Sequence, residues 1–402
     1  MLLSKHIDAL LKSKKVLLLQ GPIGSFFAEF SDWLTSQNIQ CFKVNFNAGD
    51  WRFYHGRANI WHFRKKPKHF QTWLKHQVCN HQIDALVCFG DCRYYHVQAK
   101  QLAQRLGIPF FVFEEGYVRP DYITFEANGV NHFSNFQYQL HQQSNSLDTI
   151  ETHKTHNKFR RMVLSSIQYY IFWAVFFWLY PFYQHHRGYS PIQEMCYWII
   201  SGYRRIKNYA LEPARLNTLI QQHDHNYFVF ALQVHNDFQI RIHSEYRQIE
   251  DVIDEVMHSF SIHADSTHYL VFKHHPMDRG YRHYGRYIQS RARQLGIQQR
   301  VHYLCDVHLP TLLKHSIGLI TINSTTGIQA LYHHIPVKVL GRAIYDVPQL
   351  TSQLNLDEFW SQRYIVNEQF YNSFCRSLIY ATQLNGAYYG KHYWMNAVRV
   401  SE

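Results

Sequence analysis

Short uninterrupted apolar runs alternate along this chain with longer amphipathic stretches, a pattern that predicts buried parallel strands separated by helices. Lys15-Val-Leu-Leu-Leu-Gln20 is such a run and opens into Gly21-Pro22-Ile23-Gly24-Ser25, a Gly-rich turn of the kind that leads from a strand into a helix. The rhythm returns at Cys41–Phe46, Ala85–Phe89 and Phe110–Phe113, each followed by Gly or acidic turns, with a helical stretch over 97–106. Repeated βαβ units of this kind predict a Rossmann-like lobe over 1–130.

From 131 to 220 the rhythm stops. This stretch is rich in Gln, His, Tyr and Arg, predicts helices, and carries the aromatic run Tyr169–Tyr183. That run is shorter than the roughly 20 apolar residues of a membrane span. A buried helix and an interfacial anchor rich in Trp and Tyr are the two readings it allows. Strand-like runs resume at Tyr227–Gln233, Tyr269–Lys273, Val301–Leu304, Gly318–Ile322 and Val337–Leu340, with helical stretches over 247–260 and 284–295. They predict a second doubly wound lobe over 221–350, with 351–402 read as C-terminal helices packing back on the lobes. The expected class is α/β: two Rossmann-like lobes, GT-B-like, with a helical, aromatic-rich insertion between them and ligands at the carboxyl ends of the strands.

Composition narrows the partners more than the fold. A chain of 402 residues exceeds what one hydrophobic core usually organises, which agrees with two lobes. Lys and Arg number 41 against 29 Asp and Glu, a formal charge of +12, with 29 His besides; this favours nucleotides, phosphates, acidic sugars or anionic lipids as partners. The basic residues form no concentrated run or recognition motif, which argues against nucleic acid. The seven Cys have no metal-ligand spacing, Cys88 and Cys92 coming nearest, so buried thiols in a reducing compartment are expected rather than zinc. Met-Leu-Leu-Ser-Lys-His at the start lacks the apolar core of a signal peptide, which predicts retention in the cytoplasm. No Walker A pattern, zinc spacing, Gly-x-Ser-x-Gly elbow or full dinucleotide fingerprint is present, which disfavours an NTPase, a metalloenzyme, a hydrolase and a dehydrogenase.

Candidate chemistry gathers where predicted strands end. Glu114 and Glu115 precede Gly116, with Arg119 close behind; adjacent carboxylates can have their pKa values pushed apart so that one serves as acid or base, and a solvated turn is the plain alternative. Beyond the run ending at Gln233 stand His235, Asp237, Gln239, Arg241 and Ser244. Asp237 is either a nucleophile, with Gln, His and Arg around it to hold a carboxylate or hydroxyls, or a helix cap. Lys273-His274-His275-Pro276, followed by Asp278-Arg279-Gly280, supplies donors and positive charge suited to a phosphate leaving group. Asn323-Ser324-Thr325-Thr326-Gly327 carries hydroxyls into a helix start, where phosphate binds favourably; a capped helix without a ligand reads equally well. Gln184-His185-His186-Arg187-Gly188 after the aromatic run is either an anionic-acceptor contact or solvated charge.

Taken in order, these stretches resemble the capsule polysaccharide biosynthesis family, and within it the KpsS/LipB type of β-Kdo transferase. The resemblance rests on Gln20–Phe27, Lys43–Asn47 with Gly49–Trp51, Phe113–Tyr117 with Arg119–Thr124, Gln233–Ser244, Lys273–Pro276 with Asp278–Gly280, and Asn323–Gly327. It implies a transferase that uses CMP-Kdo as donor, with no tightly bound cofactor and no essential metal, and starts a β-Kdo linker on a phosphatidylglycerol-type lipid. Further partners it implies are the anionic inner face of the cytoplasmic membrane, a second β-Kdo transferase and the capsule export machinery.

The acidic, His-Pro and Ser/Thr motifs are also similar to those of bacterial sialyltransferases. By that likeness Glu115 is the acid or base, His275 meets the donor phosphate, and Ser324 with Thr325 grips the phosphate of CMP. Lys273, His274, Pro276, Asn323, Thr326 and Gly327 complete the donor side on the second lobe. Gly21, Gly24, Gln233, Gln239, Ser244, Arg119 and Arg187 are expected at the substrates, with the acceptor on the first lobe. The resemblance also offers two courses: retention through an adduct on Asp237, or direct inversion with Glu115 as base. A non-catalytic export or assembly component is the rival function. One departure stands out, Gln349 where the family pattern leads one to expect Gly.

Overall fold

The computed structural model describes residues 4–136, 151–185, 188–235, 246, 248–361 and 364–396. The chain forms two units, 1–192 with 374–402 and 193–373. The unit borders fall within two helices, Pro191–His223 and Glu368–Thr382.

In the first unit, β1 (Lys15–Leu18), β2 (Gln40–Asn45), β3 (Ile60–His62), β4 (Ala85–Phe89) and β5 (Phe110–Glu115) run parallel. β6 (Tyr122–Ala127) turns back antiparallel beside β5. The connections are α1 (Lys5–Leu10), α2 (Phe26–Ser36), α3 (Ala48–Tyr54), α4 (Phe70–His81) and α5 (Tyr94–Leu106). Val16 and Leu18 of β1 join one apolar cluster and Leu17 joins another, so both faces of the sheet are covered. A strand buried on both faces has no polar face to display, which is why these runs read as continuously apolar.

Next in the chain come α6 (Phe159–Val175) and α7 (Pro191–His223). α6 packs on α3 of the first unit, where the Tyr169 ring occupies the space that a side chain at Gly49 would need, 2.5 Å from its Cβ position. The aromatic run is thus divided. Tyr169 and Trp173 are buried, whereas Ile171, Val175, Phe177 and Trp178 are exposed.

The second unit holds β7 (Tyr227–Ala231), β8 (Tyr269–Lys273), β9 (Val301–Leu304), β10 (Gly318–Thr321) and β11 (Val337–Val339), all parallel in the order β11-β10-β7-β8-β9. Its helices are α8 (Ile249–His263), α9 (Gly285–Gln294), α10 (Leu309–Lys314), α11 (Thr326–Tyr332) and α12 (Leu356–Phe359). α8 places Ile249, Val252, Ile253, Val256, Met257 and Phe260 on one stripe in the core, the 3.6-residue period expected of it. An Asn355–Glu358 capping box starts α12.

α13 (Glu368–Thr382) leads the chain back to the first unit, where β12 (Gln383–Asn385) pairs antiparallel with β6. The first sheet therefore has seven strands, ordered β12-β6-β5-β4-β1-β2-β3. The C-terminal stretch is not helical throughout, because the free edge of β6 offers β12 a ladder.

Two α/β lobes with mostly parallel sheets are thus present, as the apolar rhythm predicts, with helices between them in sequence. β3, β6 and β12 escape that rhythm, two of them because three residues are too few to show a period.

Candidate active site

In the first lobe, polar side chains converge where β1, β2, β4 and β5 end. The Gln20 amide donates to both Asp50 oxygens (3.3 Å each), to Tyr169 Oη (3.2 Å) and to Tyr183 Oη (3.0 Å). Its oxygen accepts from Arg93 at 3.2 Å. Asn47 caps α3 by accepting from Asp50 N–H (2.9 Å) and donates to Tyr169 Oη (2.6 Å). Lys43 is buried beneath this network, and burial lowers its ammonium pKa to about 8 even though the charge of Asp50 pulls the other way.

The two glutamates part company. Glu114 is half-buried, and burial, aided by the charges of Glu115 and Asp91, raises its carboxyl to about 7 against the backbone N–H of Glu115, which donates to it at 3.0 Å. Glu115 is exposed, with Arg119 at 4.0 Å. Gly116 between them and Tyr117 is obligatory, since a Cβ there would lie 2.0 Å from the Tyr122 carbonyl oxygen. Gly21 and Gly24 sit against the rings of Phe27 and Tyr389, and the cavity beside them is only about 20 Å³. That volume holds one water.

In the second lobe the ends of β7, β8 and β10 are tied together. Gln233 donates to Asn323 Oδ1 (2.8 Å) and accepts from Asn323 N–H (3.1 Å), joining β7 to β10. Ser324 Oγ donates to Thr326 Oγ1 (3.0 Å) and accepts from the Thr326 N–H (3.2 Å). Tyr345 Oη reaches the Ser324 carbonyl at 2.5 Å. Gly327 makes room for that tyrosine, whose Oη lies 2.3 Å from where a Cβ would be, so close packing alone requires a glycine here. Thr325 is the cap residue of α11 but makes no side-chain capping bond. The tight loop after β11 places Gln349 at φ 73°, left-handed backbone that Gly adopts freely, which accounts for the Gly expected there.

The basic motif after β8 divides its labour. Lys273 is buried and donates to the carbonyls of His274 (3.1 Å) and Cys305, so its charge fastens β8 to β9. Burial lowers its pKa. His275 accepts from the N–H of Met277 (3.1 Å) and caps the single turn Pro276–Asp278.

Asp278 is the centre of the cluster. Fully buried, it takes His235 Nδ1 at 2.5 Å, the His235 backbone N–H at 3.3 Å and His274 Nε2 at 3.5 Å. Burial alone would raise its carboxyl, but the hydrogen bonds and charges of the two histidines overcome that and hold it down to about 2. The other nitrogen of His274 meets Tyr303 Oη. The sequence pattern sets His235 beside Asp237 to help hold a carboxylate or hydroxyls and gives Asp278 no role of its own. The available signal was an acid three residues past His275, one turn beyond a proline that ends a strand.

Asp237, Gln239, Ser244 and Arg187 lie outside the described residues. The stretch holding the first three begins directly after His235, so Asp278 fixes the point from which it departs.

The capsule polysaccharide biosynthesis protein family matches residues 84–389, about three quarters of this chain. The chain belongs to that family. It is 38% identical to the capsule polysaccharide export protein KpsS of Escherichia coli over 385 residues, 95% of this chain and 99% of that one. It is 37% identical to the capsule polysaccharide modification protein LipB of Neisseria meningitidis serogroup A over 408 residues, 98% and 96% of the two chains. Among solved structures it is similar to Thermosulfurimonas dismutans KpsC, a beta Kdo 2,7 transferase, at 13% identity and a TM-score of 0.41, covering 93% of this chain and 92% of that one. It therefore acts in capsule polysaccharide biosynthesis.

Proposed function

We propose that this capsule protein is a glycosyltransferase that moves Kdo from CMP-Kdo to a phosphatidylglycerol-type lipid and so starts a β-Kdo linker. The observation that carries this reading is the joining of three strand ends around Asp278, Gln233 and Asn323, where hydroxyls, imidazoles and a buried carboxylate meet at the ligand-binding end of a parallel sheet. Ser324 and Thr325 offer hydroxyls, and His275 an imidazole, to the phosphate of CMP. The bond between the anomeric carbon and the phosphate oxygen breaks, and its electron pair leaves with CMP. In the retaining course the Asp237 carboxylate first forms an ester with that carbon, and the lipid hydroxyl then displaces it. A carboxylate of the Glu114–Glu115 pair takes the hydroxyl proton. Inversion omits the ester and uses the same base. No metal and no tightly bound cofactor is assigned to either course.

Purified protein supplied with CMP-Kdo and a fluorescent phosphatidylglycerol analogue should release CMP and add one Kdo by mass. Asp237→Ala should remain folded and lose at least about 100-fold in rate. No transfer by the wild type would sink the proposal and favour an export role, the one named in the description of the E. coli relative.

The lipid acceptor is supported by α6. Leu164, Ile167, Ile171 and Val175 form one stripe, each between 44% and 59% exposed, opposite the buried Ser166, Tyr169 and Trp173. Exposed Arg160 and Arg161 stand at its start. An outward apolar stripe with cations beside it suits an anionic bilayer surface, which supports the reading of a protein peripheral to the inner face of the cytoplasmic membrane. Among the described residues no helix is long and apolar enough to cross a membrane. Ile171→Asp combined with Trp178→Asp should abolish co-sedimentation with phosphatidylglycerol vesicles without lowering the melting temperature. Unchanged sedimentation would remove α6 from this role.

A further inference from the structure

The second lobe contains a groove of about 1100 Å³ between α7, the edge strand β9 and α9. Its walls are pinned at separate points. Near one end, Arg204 of α7 donates to the Arg279 carbonyl (2.6 Å) and Asn208 to Asp306 (2.8 Å). In the middle, the Glu212 carboxylate accepts the Cys305 N–H at 2.8 Å, and at the far end His223 stacks on Tyr269 with ring centres 3.6 Å apart. α7 is thus held away from the sheet by defined struts, and the space beneath it is a built channel.

The lining is mainly cationic, its one acid, Glu212, being engaged with the backbone N–H groups of Cys305 and Asp306, and it has much neutral hydrogen-bonding capacity. Lys207, Arg215 and Arg286 line the groove, are exposed, and have no acidic partner within ion-pair distance among the described residues. Arg204 and Lys207 lie close enough to His283 to help its burial lower the imidazole pKa. Lys207 and Arg215 stand about 12 Å apart along the helix axis at 1.5 Å per residue, so positive charge is spread along the channel. β9 is the last strand of its sheet, which leaves one backbone edge without a strand partner along the floor. His302 Nε2 is buried there with no hydrogen-bond partner. Tyr203 and Tyr303 add ring faces.

We propose that this groove binds an extended acidic glycan, a chain of sugars bearing carboxylates at intervals. Spaced cations meet the carboxylates, while the open backbone edge and His302 meet hydroxyls, which a compact phosphate would leave unpaired. Membership of a capsule polysaccharide family makes such a chain available; the proposal does not depend on the identity of the sugar donor. The groove would then hold glycan beside the donor residues, since His274 also borders it.

The test is fluorescence titration of the full chain with a homogeneous oligogalacturonate, with a neutral malto-oligosaccharide of the same length as control. The acidic chain should bind and the neutral one should not. The triple variant Lys207→Gln, Arg215→Gln, Arg286→Gln should weaken binding about tenfold or more, with its melting temperature and its release of CMP from CMP-Kdo retained. Those side chains are exposed, so the fold tolerates their loss, and persisting CMP release separates failure here from failure of the transferase reading. Equal binding of the neutral chain, unchanged affinity in the variant, displacement by CMP, or stronger binding of a single-stranded oligonucleotide would each overturn the proposal.

Discussion

Asp278→Asn is expected to lower stability at pH 7 by about 2 kcal/mol and to slow the proposed Kdo transfer about 100-fold. The first figure follows from linkage. The folded-state pKa is depressed from 3.8 to about 2, and each unit is worth about 1.4 kcal/mol. A depressed carboxyl stabilises only while ionised, so the contribution is present above the unfolded value near 4 and is lost as pH falls through about 2. The gap between wild type and variant in urea unfolding should therefore be full at pH 5 and close toward pH 2. The second figure follows from geometry. Asp278 orients His235 through both its ring and its backbone N–H, and a displacement of about 1 Å where chemistry occurs costs about that factor. Equal stability of the two proteins at pH 5 would show that the histidines do not hold the carboxylate.

Glu114→Gln should do the reverse to stability while also abolishing activity. Its carboxyl is raised from 4.5 to about 7, so the folded state prefers it protonated. Stability tied to this group is complete below pH 4.5 and is lost as pH rises through 7, amounting to about 3 kcal/mol at pH 8. Glutamine carries no charge to desolvate, so the variant should melt higher than the wild type above pH 7 and match it near pH 4. If Glu114 is the base, the wild-type rate rises across pH 7 and the variant loses that limb together with about 100-fold or more in rate. Higher stability with lower activity is the mark of a group held against its preference for function. A variant with full activity and the same pH profile would transfer the base to Glu115.

The first lobe's polar network shows how far reading along the chain can reach. Gln20, Asn47 and Asp50 fall at or just beyond predicted strand ends and Lys43 within the second strand, so their neighbourhood could be named in advance. That Tyr169 and Tyr183 close the network could not, because they arrive from a helical stretch more than a hundred residues later. The glycines tell the same story. Gly21 and Gly327 read as turn glycines by type and spacing, yet only the structure shows that the rings of Phe27 and Tyr345 stand where a Cβ at each would be.

By itself the sequence determined the class of fold, because strands buried on both faces must be apolar throughout and helices between them must show a 3.6-residue period. It also determined the family, because motifs of fixed composition recur in order along nearly the whole chain. Only the tertiary structure decided which member of each motif holds which role. It spends Lys273 on backbone carbonyls, separates Glu114 from Glu115 by burial, and makes Asp278 the anchor of two histidines. Burial, desolvation and hydrogen bonding depend on neighbours brought together from distant parts of the chain, and no local pattern of residues encodes them.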